Sequence, residues 1–128
     1  MTVSPPLPLH HGAIGNGRVI GLIGPDTSID WLCLPRFDSP SVFARLLDQE
    51  RGGSWSFTPV EHWRATASYL RNTNVLRTEV ETADGSFEIV DFAPRLMRGL
   101  RVEAPIELCR LLRPLRGTPR YEAILQAM

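Results

Sequence analysis

Residues 75–92 constrain the fold more than any other stretch of the chain. Residues 75–82 alternate strictly, with Leu76, Thr78, Val80 and Thr82 on one side and Arg77, Glu79 and Glu81 on the other. Asp84-Gly85 follows, and then a second β-rich run over residues 86–92. A period of two places alternate side chains on opposite faces of a strand. Asp-Gly between two such runs is the strongest short-range signal of a hairpin. Pro94 stops the second run, because proline has no N–H to give to a ladder. A ribbon with one apolar face must bury that face under a second layer.

The same period runs through most of the chain. Residues 18–23 form a short apolar run, and residues 28–34 alternate with Ile29, Trp31 and Cys33 on one face. The cluster Gly24-Pro25-Asp26-Thr27 between them makes the two a second hairpin. Residues 54–58 alternate through Trp55 and Phe57, and Trp63, Ala65, Ala67 and Tyr69 keep that period. Residues 41–48 change it: Val42, Phe43, Leu46 and Leu47 fit one helical face, Ser39 or Ser41 suits an N-cap, and Arg51-Gly52-Gly53 ends the segment. A short helix is expected there. Residues 95–105 read as a loop, and residues 106–115 are apolar and basic without clean alternation. Gly117-Thr118-Pro119 marks a turn before Tyr121, Ala123 and Leu125 alternate again. Residues 1–10 contain Pro5, Pro6 and Pro8 and are expected to be an irregular arm, which leaves residues 11–128 as one domain. About eight short strands and one short helix predict a mainly β fold, an antiparallel β-sandwich or part of one. Trp31, Trp55, Phe57, Trp63, Tyr69, Phe87 and Phe92 are expected to fill much of its core.

Composition narrows the function classes. Hydrophobic residues make up 43% and charged residues 22% of the 128, enough to build a core. Fourteen basic residues cancel fourteen acidic ones, so no long-range pull toward nucleic acid or an anionic membrane is expected. The arginines of the last third (Arg95, Arg98, Arg101, Arg110, Arg113, Arg116 and Arg120) read as a solvated face or a domain interface before an anion site. No apolar run approaches the roughly 20 residues that cross a bilayer. Residues 1–9 lack the basic and apolar regions of a secretory signal, and a cytoplasmic protein is expected. Cys33 and Cys109 lie in apolar runs and read as buried free thiols.

No strong catalytic motif stands out. Gly15-Asn16-Gly17 is too short for a dinucleotide-binding loop and reads as a tight turn. Adjacent His10 and His11 on an extended segment point to opposite faces and make a poor chelate, with His62 far away in sequence; neither a metal nor a cofactor is expected. Asp30, Asp38 and Asp91 are the acids set among aromatic or apolar neighbours. Burial there raises a carboxyl pKa, but an Asp beside a turn more often bonds a backbone amide, and a structural role is the stronger reading for each. The segment over residues 28–44 is the unusual one. Trp31, Arg36, Phe37 and Asp38 combine ring faces for sugar C–H groups with charged groups for hydroxyls, on a turn stiffened by Pro35 and Pro40. The plain alternative is a rigid strand-to-helix corner with an internal Arg36–Asp38 pair.

That segment resembles the N-terminal signature of bacterial glycoside hydrolases of family 15 and related trehalases. Such proteins begin with an Ile-Gly-(Asp/Asn)-Gly segment, here Ile14-Gly15-Asn16-Gly17. The match then runs nearly unbroken over residues 28–44, with Asp26-Thr27 where Asp-Gly is usual. Arg51-Gly52-Gly53, Tyr69-Leu70, Thr73-Asn74-Val75-Leu76, Ala83-Asp84-Gly85 and Val90-Asp91-Phe92-Ala93-Pro94 follow in order. The resemblance implies a β-sandwich that precedes an (α/α)6 barrel. The barrel would carry two carboxylates for inverting hydrolysis of α-glucosidic bonds, one as general acid and one as base on a water. None of that barrel lies in these residues. A non-catalytic domain is therefore expected, with the barrel, in cis or in trans, as its partner and an α-glucoside near the 31–38 loop. The alternative is a free-standing sugar-binding or interaction module. Residue 128 comes before such a sandwich is complete, so an open edge strand and self-association of the isolated chain are expected as well.

Overall fold

The structure, a computed structural model, describes residues 10–127. Apart from His10, the irregular arm expected for residues 1–10 lies outside the described residues. Among those residues there is no helix. Twelve strands form: β1 (Gly12–Gly15), β2 (Ile20–Ile23), β3 (Ile29–Cys33), β4 (Ser41–Phe43), β5 (Ser54–Pro59), β6 (Trp63–Tyr69), β7 (Leu76–Thr82), β8 (Gly85–Phe92), β9 (Leu96–Arg98), β10 (Arg101–Glu103), β11 (Cys109–Gly117) and β12 (Tyr121–Gln126).

All pairings are antiparallel, as the alternation predicts. The first sheet runs β1-β2-β3-β5-β12, with β4 on β3; the second runs β11-β8-β7-β6; β9 and β10 stand as a separate pair. The two larger sheets share their core. Ile14, Ile23, Ile29, Leu32 and Phe43 of the first meet Leu76 of the second, and Phe57 of the first meets Val80, Phe87 and Ile89 of the second. Burying each such side chain contributes about 1.5–3 kcal/mol. The core is more aliphatic than expected. Phe57 and Phe87 are buried, Trp31, Trp55, Trp63 and Phe92 only half-buried, and Tyr69 exposed. Tyr69 instead ties the layers at the rim, where its hydroxyl donates to Ala13 O at 2.9 Å and accepts from Ala13 N at 2.8 Å.

The β7–β8 hairpin forms as its alternation dictates. Leu76, Thr78 and Val80 are buried, and Gly85 opens β8 at φ 153°. A Cβ on Gly85 would stand 2.1 Å from Arg116 O, so only glycine fits beside β11. Three expectations are corrected. In β3 the pairing slips between Leu22–Trp31 and Ile23–Ile29, leaving Asp30 as an extra residue. This bulge resets the alternation, so β3 gives Ile29 and Leu32 to the shared core and also buries Cys33, while Trp31 is left half-buried.

The helix expected over residues 41–48 does not form. Ser41 and Phe43 pair with Cys33 and Leu32 as β4, and only one turn follows, in which Leu47 N and Asp48 N donate to Ala44 O at 3.0 and 3.1 Å. Ala44 N and Arg45 N meanwhile donate to Gly52 O and Gly53 O, at 2.7 and 3.1 Å. A helix of two turns has too few bonds beyond its costly nucleus to compete with strand pairing that buries Phe43. Finally, the loop expected over residues 95–105 contains the β9–β10 hairpin.

Candidate functional site

One end of the molecule gathers the loop that the sequence singles out. After β3 the chain turns through a cis Leu34–Pro35 peptide. Arg36 N donates to Ser39 Oγ at 3.1 Å and Ser39 N to Arg36 O at 3.0 Å, which closes the turn. The guanidinium of Arg36 forks onto Asp38, at 3.0 Å from Nε and 3.2 Å from Nη2. Both side chains face solvent, and Phe37 beside them is 61% exposed. Arg36, Phe37 and Asp38 line an open cleft of about 590 Å³ together with Gly17, Arg18, Pro35 and Ile106. Of the four expected site residues, the structure therefore brings three together. Trp31 sits half-buried on β3 and is not among the residues lining the cleft.

The Gly17–Arg18 part of the cleft lining depends on Asn16, which the sequence marks only as part of a turn and of the family's Ile-Gly-Asn-Gly segment. Asn16 is 3% exposed. Its Oδ1 accepts from Arg18 N and Val19 N at 2.9 and 3.1 Å, which shapes the β1–β2 turn. Its Nδ2 donates to Pro94 O and Pro105 O at 2.9 and 2.7 Å. Arg95 Nη1 donates to Asn16 O at 3.0 Å. One amide thus pins both ends of the segment carrying β9 and β10 to the rim of the cleft. The signal for it was the Ile-Gly-Asn-Gly segment, but the partners lie 78 and 89 residues away, beyond any local pattern.

The acids flagged in the sequence are otherwise engaged in structure. Asp30 is buried; it accepts from Ser28 Oγ at 2.6 Å and from Arg45 Nη1 at 3.3 Å, and its Oδ2 lies 2.8 Å from His11 Nε2. The side chains of Asp91 and Arg110 are both fully buried, with Arg110 Nε donating to Asp91 Oδ1 at 2.6 Å. Burial pushes the Asp91 carboxyl above its usual range, and Arg110 pulls it back. Arg110 also donates to Trp55 O at 2.6 Å and to Thr27 O, and lies over the Trp55 and Phe57 rings. Of the basic C-terminal third, this arginine is an interior tie between the sheets rather than part of a solvated face. Burial also pushes both thiols, Cys33 and Cys109, above their usual range, the opposite of an activated nucleophile. Among the described residues no group of three or more His, Cys, Asp or Glu is placed to hold a metal ion.

These features define a mainly β domain of antiparallel sheets, with an open cleft whose carboxylate, Asp38, is ion-paired. Comparison with known proteins gives its family. Residues 4–112 match the family of trehalase-like N-terminal domains, and the chain belongs to that family. It is 44% identical over 100 residues to Trehalase 1 of Sulfolobus acidocaldarius, covering 74% of this chain and 17% of that protein. It is 38% identical over 88 residues to the trehalase of Thermoplasma volcanium, covering 66% of this chain and 14% of that protein. A shorter stretch of 31 residues is 58% identical to the trehalase of Mycobacterium tuberculosis, covering 24% of this chain and 5% of that protein. The chain thus spans less than a fifth of the length of these relatives. No solved structure matches it.

Proposed function

We propose that this chain is the non-catalytic N-terminal domain of a trehalase-type glycoside hydrolase. It braces a catalytic (α/α)6 barrel and turns the Arg36–Phe37–Asp38 loop toward that barrel and its α-glucoside, with trehalose the first substrate to test. The observation that carries the reading is the family match over residues 4–112, joined to relatives several times longer than the matched part. The chemistry of the cleft supports it. Hydrolysis of a glycosidic bond uses two carboxyl groups about 5–9.5 Å apart, one acid and one base or nucleophile. Among the described residues Asp38 is the one carboxylate lining this cleft, and it is ion-paired with Arg36. The purified chain is therefore expected to leave trehalose and maltose uncleaved. Turnover that Asp38→Asn abolishes would overturn the reading.

A second reading has its own support. A cleft of about 590 Å³ lies within the usual range of small-molecule sites, and the exposed Phe37 ring beside a charged pair suits a sugar face. A free-standing carbohydrate-binding module would bind trehalose or maltose by itself, and Phe37→Ala would weaken that binding without moving the melting temperature. Titration calorimetry on the chain alone separates the two readings.

A further inference from the structure

The β9–β10 hairpin is the least self-sufficient part of the fold. It pairs with neither of the larger sheets, and its register sets Met97 opposite Val102, Arg98 opposite Arg101, and Leu96 opposite Glu103. Alternation therefore puts Met97 and Val102 on one face and the Arg98–Glu103 ion pair, at 3.3 Å, on the other. Gly99, at φ 61°, and Leu100 make the tip, and Leu100 is fully exposed. Met97 is 67% exposed, and Leu96 and Val102 are also open to solvent. An isolated two-stranded ribbon is marginal in water, and a projecting apolar tip has no reason to persist without something to cover it. Yet the base of this hairpin is held firmly, through Asn16 Nδ2 on Pro94 O and Pro105 O and through Arg95 on Asn16 O. A fixed base under an uncovered apolar tip is the build of a docking element.

We propose that β9–β10 is the element by which this domain seats on the catalytic part of a trehalase-type protein, its Met97–Leu100–Val102 surface entering an apolar cleft rimmed by carboxylates. The inference rests on the function proposed above and adds the contact. Two observations select this occupant. The trehalases matched continue far beyond the matched segment, so the partner surface is available in the same polypeptide. With Arg95 held on Asn16 O and Arg98 paired with Glu103, Arg101 beside the Gly99–Leu100 tip leaves a net positive charge there, which favours acidic groups on the partner. Ile106, just past the hairpin, lines the Arg36–Phe37–Asp38 cleft, so docking here would also bring that cleft against the partner.

The test is a graft in which this chain replaces the matched N-terminal segment of Sulfolobus acidocaldarius Trehalase 1. Three forms are compared: the unaltered graft, one with Leu100→Asp and Met97→Asp, and a control with Leu125→Asp, an exposed leucine on β12. The expected result is an active graft whose thermal inactivation midpoint falls by several degrees with the hairpin changes and holds with the control. Amide exchange over residues 96–103 should slow by at least about tenfold in the graft relative to the isolated chain. Isolated chains, altered and unaltered, should melt alike. An active graft that is indifferent to the hairpin changes and shows no added protection sinks the docking inference while leaving the proposed function standing. A graft without activity in any form overturns both. A dimer of the isolated chain that Leu100→Asp dissolves would assign the surface to a second copy and also overturn the proposal.

Discussion

Thr27 shows how a local rule can be broken and compensated. It occupies a position where the family resemblance leads one to expect glycine, and it adopts φ 73°, a conformation that costs a β-branched residue roughly 1–2 kcal/mol. Its hydroxyl donates to Phe57 O and accepts from Phe57 N, both at 3.0 Å, so one side chain stands in for a ladder partner where β3 and β5 share a single backbone pair. Thr27→Gly relieves the backbone but strands two interior groups of β5, each costing about 1–3 kcal/mol. Set against the backbone relief, the net expectation is a loss centred at about 2–3 kcal/mol in urea unfolding, although glycine is the residue the backbone prefers. Asn16→Asp exchanges a donor for a carboxylate that faces Pro94 O and Pro105 O. It should cost about 2–4 kcal/mol and speed amide exchange in β9 and β10 before the rest of the fold.

Among the elements, those closed by local chemistry were legible and those decided by remote partners were not. The β7–β8 hairpin could be read because its alternation and its Asp84-Gly85 turn are contiguous. The β9–β10 hairpin escaped because each strand has three residues, too few to display a period. The short helix was expected from a correct apolar pattern, but Phe43 was claimed by the core while Leu47 of the same supposed face stayed exposed. The outer face of β8 held a further surprise. Glu88 is 1% exposed although it points away from the core, because Arg113 and Arg77 fold over it. The hydrogen bond from Arg113, and after it that from Arg77, holds the Glu88 carboxyl below its usual range against the opposing effect of burial. A lowered carboxylate pKa stabilises the fold fully above the unfolded value of about 4.3, and the contribution fades as pH falls through the folded value. Wild type should therefore lose stability below about pH 4.3 more steeply than Glu88→Gln, which starts less stable at neutral pH, as thermal melts across pH would show.

For the whole molecule, the central fact is the buried Arg110–Asp91 pair that reaches from the second sheet to Trp55 O of the first and to Thr27 O in the turn before β3. The candidate loop was readable because Arg36, Phe37 and Asp38 are contiguous, and so was the mainly β class. The inter-sheet tie was not, because an arginine in a basic stretch gives no local sign that it will be interior. Arg110→Ala leaves Asp91 uncompensated and two carbonyls without their donor, and should cost about 3–5 kcal/mol in denaturant unfolding. Arg110→Met with Asp91→Leu removes both charges and should recover most of that loss, since a buried pair is often matched by apolar side chains of similar volume. Recovery no better than either single change would mean that the carbonyl contacts, rather than the ion pair, hold the sheets together.

The same tie sets an order of events when the chain is made. Arg110 meets Thr27 across 83 residues, and β12 completes the sheet that β1, β2 and β3 begin. A polypeptide leaving the ribosome can pair β1, β2, β3 and β4 among themselves early, but Thr27 and Trp55 lack Arg110, and β5 lacks β12, until residues 110–126 emerge, at about 5–20 residues per second. Before β7 and β8 follow, Ile23, Ile29 and Leu32 and the Phe57 ring lack the second layer that covers them in the finished fold.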